Sequence, residues 1–208
     1  MGNGSGAGAP AGPGVAGFSA ADRLIELAEA VRAEPALPRD ALAALLARHG
    51  ERPADLVPEA FGEPEAAGLR AAARRMALVL AETDEDRAAE ALNGLLEECG
   101  TRPRLTRHDG HPWHLHADRE GADWGEWFLA SGALELARLL TVYGRIAWGA
   151  CAAPGCGRLF LGTGPGSARR YCAPACATRA RVAAHRRRRR EAEAGRGDGP
   201  EGGVSPLP

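Results

Sequence analysis

Four of the chain's five cysteines, Cys151, Cys156, Cys172 and Cys176, follow the spacing C-x4-C-x15-C-x3-C. Zinc takes four tetrahedral ligands, and two close pairs of thiolates brought from separate segments satisfy it while closing a small fold. Four thiolates leave no position for a substrate or a reactive water. The pattern therefore predicts a structural Zn2+ site and argues against an enzyme. In the first pair Pro154 stiffens the loop, and Gly157 can take the backbone angle that turns amides towards sulfur. Cys172 and Cys176 are four apart, so a helix starting near Ala173 projects both sulfurs from its first turn on one face. Disulfides or free thiols are the alternatives; in a reducing compartment clustered cysteines favour a metal.

A basic run follows the last cysteine. Residues 151–190 carry ten arginines and no acid, against a net charge of −8 over residues 1–150 and −3 over residues 191–208. A basic segment on an acidic body is the pattern expected where part of a chain meets a polyanion. On a helix, Arg179, Arg186 and Arg190 fall along one stripe, with Arg169 and Arg170 near its N-terminal end. These five are the candidate contacts to the phosphates of double-stranded DNA. The competing readings are a solvated charge run, a protein-interaction module whose basic helix docks on an acidic partner, and a homodimer in which it binds a second subunit's body. All 26 basic residues are arginine, which points to GC-rich coding and weakens any argument from arginine over lysine.

The preceding sequence must position these groups, and its periodicity is helical. "SAADRLIELAEAVRAE" offers Ser19 as N-cap, Asp22 as its N3 partner and a helix to about Arg32. "LPRDALAALLARHG" opens at Pro38 and closes at Gly50. "EPEAAGLRAAARRMALVLAE" carries Leu69, Ala73, Met76, Leu78 and Leu80 among its apolar positions, and "DEDRAAEALNGLLEECG" ends at Gly100. The period then changes. "RPRLTRHDGHPWHLHAD" predicts a β-hairpin over residues 103–117 with a three-residue loop, His108 to Gly110. That loop pairs Arg107 with His111 and gathers Leu105, Trp113 and Leu115 on one face, expected to be buried. "ADWGEWFLASGALELARLLTVYGRIAWGA" is apolar around most of its circumference and predicts the central helix. It runs into Cys151 without a flexible linker, so the cysteine cluster should pack on the helical body. "RLFL" and "RRY" read as strands of a second hairpin returning to Cys172.

The two ends, residues 1–18 and 195–208, are Gly/Pro-rich without apolar periodicity and read as disordered tails. No stretch of 18 apolar residues is present and the N-terminus lacks a secretory signal, so no membrane partner and a cytoplasmic location are expected. His114 and His116 share a strand face and His108 and His111 flank the turn; they read as hydrogen-bonding side chains of a wet hairpin face rather than metal ligands, and Trp124, Trp127 and Trp148 as core rather than the lining of a ligand pocket. Cys99 reads as a small hydrophobe at a helix end. No small-molecule effector is identifiable. No nucleophile, metalloprotease or phosphate-loop motif occurs.

The segment from Cys151 to about Arg190 resembles the CGNR zinc finger, named for a motif starting at its last cysteine. This chain has Cys176, Ala177, Thr178 and Arg179 there, keeping the cysteine and the arginine. Residues 19–148 resemble the ABATE domain that accompanies that finger in stress-induced transcription regulators of bacteria. The resemblance implies zinc on the four cysteines and DNA binding by the finger. The expected fold is mainly α with a β-hairpin (α+β) in the N-terminal domain 19–148, followed by a C-terminal treble-clef-like zinc finger with its basic helix over residues 149–194.

Overall fold

The computed structural model describes residues 20–106, 113–117, 119, 121–163 and 168–194. Among these residues six α-helices, a short 3-10 helix (Pro53–Asp55) between the second and third of them, and two small antiparallel hairpins follow in the order α1 (Ala20–Ala33), α2 (Arg39–Arg48), α3 (Glu63–Ala81), α4 (Glu85–Glu98), β1 (Arg104–Thr106), β2 (His114–His116), α5 (Trp124–Tyr143), β3 (Trp148–Ala150), β4 (Leu159–Leu161) and α6 (Pro174–Ala194). This is the mainly helical fold with hairpins that the periodicity predicts.

Local chemistry sets the helix ends. The Asp84 side chain accepts from the Arg87 amide at 3.0 Å to start α4. Asp123 and Glu126 form a reciprocal capping box at α5, with amide to carboxylate distances of 2.8 and 3.1 Å. Gly144 closes α5 at φ 59°, a conformation glycine reaches without strain. Ser19, the expected cap of α1, lies outside the described residues.

The core forms where α1, α3, α4 and α5 meet. Leu24, Leu27, Leu69, Met76, Leu80, Leu92, Phe128 and Leu136 are buried there, and α5 packs against α1, α3 and α4. A β-carbon at Gly125 of α5 would stand 3.0 Å from the Gly68 carbonyl oxygen, so glycine here lets α3 and α5 approach closely. The four-residue spacing of Leu24, Ala28 and of Leu69, Ala73, Ala77 puts each helix's apolar stripe on the shared side. Leu78 departs from the expectation. It is 75% exposed, because the α3 stripe that faces the core passes through Met76, Ala77, Val79 and Leu80.

The hairpins also differ from expectation. β1 and β2 pair Leu105 with Leu115 and Arg104 with His116. The three-residue loop would instead place Leu105 opposite Trp113; the loop itself lies outside the described residues. The two-residue shift keeps Leu105, Trp113 and Leu115 on one face, since side chains alternate with period two. That face is not buried, however: the three are 68%, 65% and 52% exposed. The second hairpin is built from β3 and β4, with Trp148 opposite Leu161 and Ala150 opposite Leu159. The segment "RRY" forms no strand. The stretch before Cys151 is already extended and apolar, and it takes the pairing edge of β4.

Candidate metal centre and basic helix

The β3–β4 hairpin is bolted to the helical body. The Trp148 indole Nε1 donates to the Val79 carbonyl at 3.3 Å, and the Leu159 amide donates to Glu29 Oε2 of α1 at 3.0 Å. Arg32 holds that Glu29 carboxylate in a fork, with contacts of 2.8 to 3.2 Å. Trp148 and Leu159 are buried in the same core as the helices. The expectation that the cysteine cluster packs on the body holds.

Cys151 and Cys156 occupy the connection between the two strands. The Cys151 amide donates to the Arg158 carbonyl at 2.8 Å and the Cys156 amide to Ala153 at 3.0 Å, closing a tight knuckle. Gly155 and Gly157 turn the chain there at φ 67° and 63°; only Gly157 was anticipated from the sequence. Cys172 precedes α6 and Cys176 lies in its first turn, after Pro174 at the first helical position, where a missing N–H costs nothing. The Ala152 amide donates to the Arg170 carbonyl at 2.9 Å and ties the two halves together.

All four sulfurs lie within 4.8 Å of one another. The separations are 3.7 Å for Cys156 to Cys172, 3.6 Å for Cys172 to Cys176 and 3.8 Å for Cys156 to Cys176. A tetrahedron of sulfurs at the usual Zn–S bond length has edges of about 3.8 Å. None of the cysteines is in a disulfide. Burial pushes the Cys151 thiol up, but the amides of Cys172 and Ala153 and the neighbouring thiols outweigh it and hold the group down at about 7. Burial and the other three sulfurs push Cys172 up to about 12. A cation held by these four sulfurs would relieve this crowding by displacing their protons. Among the described residues this is the one cluster of metal-ligating side chains.

The five arginines singled out by the sequence divide by environment. Arg179 Nη2 donates to Cys176 Sγ at 3.0 Å, and that sulfur raises the arginine's own pKa. Arg169 donates to the Cys172 carbonyl at 3.1 Å and lies over the Phe160 ring at 5.7 Å. Arg170 lies over Tyr171 at 5.9 Å. Arg186 and Arg190 are exposed near the far end of α6 and, with Arg188, have no ion-pair partner among the described residues. Arg189 pairs with Glu193 at 2.9 Å and Arg187 with Glu191 at 3.7 Å. The sulfur contact of Arg179 was not read from the sequence, although its place one turn after Cys176 carries the signal. The docking role of Glu29 had no sequence signal, because its partner is 130 residues away.

The family model of the CGNR zinc finger matches residues 148–189, and the ABATE model, described as "Putative stress-induced transcription regulator", matches residues 21–143. The chain belongs to the ABATE family. Its C-terminal part is the CGNR zinc finger, and the four-cysteine cluster lies within it. Neither family description is that of an enzyme. No curated protein matches the chain. Among the described residues no helix is long and apolar enough to cross a membrane.

Proposed function

We propose that this ABATE-family protein is a DNA-binding transcription regulator in which Cys151, Cys156, Cys172 and Cys176 hold one Zn2+ and α6 delivers arginines to DNA phosphates. The observation that carries the proposal is the convergence of four sulfurs at tetrahedral spacing at the root of a helix whose outer half is exposed and basic. Zinc would be structural: it joins the knuckle to the start of α6, and four thiolates leave it no catalytic position. The regulatory body is residues 19–148 and the finger with its helix is residues 149–194. Arg186 and Arg190 supply the outer phosphate contacts, and Arg169, Arg170 and Arg179 supply those near the metal, each keeping free N–H donors beyond its intramolecular bond.

Duplex affinity measured against salt tests this. Five phosphate contacts give a slope of log K against log salt of about −4 to −5, and replacing Arg186 and Arg190 by serine reduces its magnitude by about 2. Purified protein contains one zinc per chain, and Cys172→Ser loses it. Absence of binding to any duplex at low salt rejects the DNA reading; full zinc content in Cys172→Ser rejects the four-thiolate site.

A further inference from the structure

We infer that a groove along α1 is a binding site for a small apolar organic anion. The site is independent of the DNA-binding reading, since it uses no residue of α6. One face of α1 buries Ala21, Leu24, Leu27, Ala28 and Val31 in the core. Another, with Asp22, Ile25, Glu26, Glu29, Ala30 and Ala33 at spacings of three and four residues, lines an open groove of about 800 Å³. α1 packs against both α2 and β4. These elements complete the groove with Leu45 of α2 and with Leu159 of β4 and Arg158 just before it. Ala30 and Ala33 leave the space that longer side chains would fill. The volume falls within the range of small-molecule sites, about 300–1,000 Å³, and such sites often lie where two units of a fold meet, as the finger's hairpin meets the helical body here.

The chemistry of the lining selects the ligand. Ile25, Ala30, Leu45 and Leu159 give the groove an apolar floor, the last two buried and the first two partly so. Three carboxylates line it as well, but each is already engaged. Glu26 accepts from the Arg48 guanidinium and lies 2.7 Å from His49 Nε2. Glu29 accepts from Arg32 and from the Leu159 amide, and Asp22 also has a partner. Arg158 differs: it is exposed, and its guanidinium has no ion pair, hydrogen bond or ring contact among the described residues. The charge left without a partner at the groove is therefore positive. An anionic group on an apolar molecule can pair with Arg158 while the rest of the molecule covers the floor, whereas a cation would have to compete with the partners the carboxylates already hold. The Arg158 carbonyl accepts the Cys151 amide at 2.8 Å, so the site lies one hydrogen bond from the cysteine cluster.

The test uses the full chain loaded with zinc and two fluorescent probes: anilinonaphthalene sulfonate, which is anionic, and phenylnaphthylamine, which has the same rings without the sulfonate. Titrations compare the native chain with Arg158→Gln, Ala30→Phe and Trp113→Ala; zinc content and helicity verify folding. The native chain is expected to bind one sulfonate probe, with the amide resonances of Ile25 and Leu159 shifting as it does. Arg158→Gln should weaken the sulfonate about tenfold, the loss of one charge-assisted hydrogen bond, and leave the neutral probe unchanged. Ala30→Phe fills the groove and should weaken both probes. Arg158 is exposed, so its replacement decides the matter even where Ala30→Phe disturbs the packing of α1. No sulfonate binding by the native chain, or equal affinity in Arg158→Gln, overturns the inference. Equal weakening of both probes by Arg158→Gln would make the residue's role one of shape rather than charge, and the anion assignment falls. Binding lost only in Trp113→Ala would put the probe on the β1–β2 hairpin, and the inference is again overturned.

Discussion

Arg179 stands where the basic helix meets the cysteine cluster. Its guanidinium donates to Cys176 Sγ at 3.0 Å, so part of its positive charge faces a sulfur rather than solvent. A donor to a ligating sulfur lowers the charge the metal must neutralise and fixes the sulfur's orientation. Arg179→Ala is therefore expected to weaken zinc binding about tenfold, read by competition with a chromophoric chelator. The same change should alter the salt slope of DNA binding by no more than about 1. Unchanged zinc affinity would mean that the sulfur contact contributes nothing. Thr178, which stands where the family motif has asparagine, accepts from Arg181 at 3.3 Å and so already has a local partner.

Among elements, the decisive contact is between α1 and β4. Glu29 joins them by accepting the Leu159 amide while Arg32 holds its carboxylate. Glu29→Ala leaves a partly buried amide without an acceptor, at a cost of about 1–3 kcal/mol. Hydrogen exchange at Leu159 should accelerate while zinc stays bound, because no cysteine is touched. Protection unchanged at Leu159 would show that the hairpin is held by Trp148 and the apolar contacts alone. The crossing of α3 and α5 makes a second demand. Gly125→Ala sets a methyl 3.0 Å from the Gly68 carbonyl oxygen, so the backbone of α3 must give by a few tenths of an ångström. Overpacking of this kind costs about 1–3 kcal/mol, visible as a lower urea midpoint. A midpoint at the native value would mean that the two helices separate freely.

For the whole molecule, acid stability follows from its carboxylates. Hydrogen bonds from the Asp84 amide, Arg87 and the Thr83 amide hold Glu82 down at about 2. Arg75 lowers Glu98, and Arg119 lowers Glu126. For Glu26 partial burial works in the opposite direction but is outweighed by Arg48 and His49. Each group is more acidic folded than unfolded, so below about pH 4.5 the unfolded chain binds more protons. The stabilisation is complete above that value and is lost as pH falls towards the folded values. The urea midpoint should decline between pH 5 and pH 3, and less steeply in Glu82→Gln. An identical profile in that variant would remove Glu82 from the account.

The helices, the spacing of the four clustered cysteines and the charge division were legible in the sequence. Apolar spacing, caps such as Asp84 and Asp123, and cysteine spacing act over a few residues, so their consequences are local. Which strand pairs with β4, whether the apolar face of the first hairpin is covered, and which carboxylate docks the β3–β4 hairpin emerge from the packed chain. Those outcomes depend on partners up to 130 residues apart. Period-two alternation placed Leu105, Trp113 and Leu115 together, but whether a face is buried depends on whether the rest of the chain has already closed its core. Here α1, α3, α4 and α5 close it without the hairpin, and the three side chains remain at the surface.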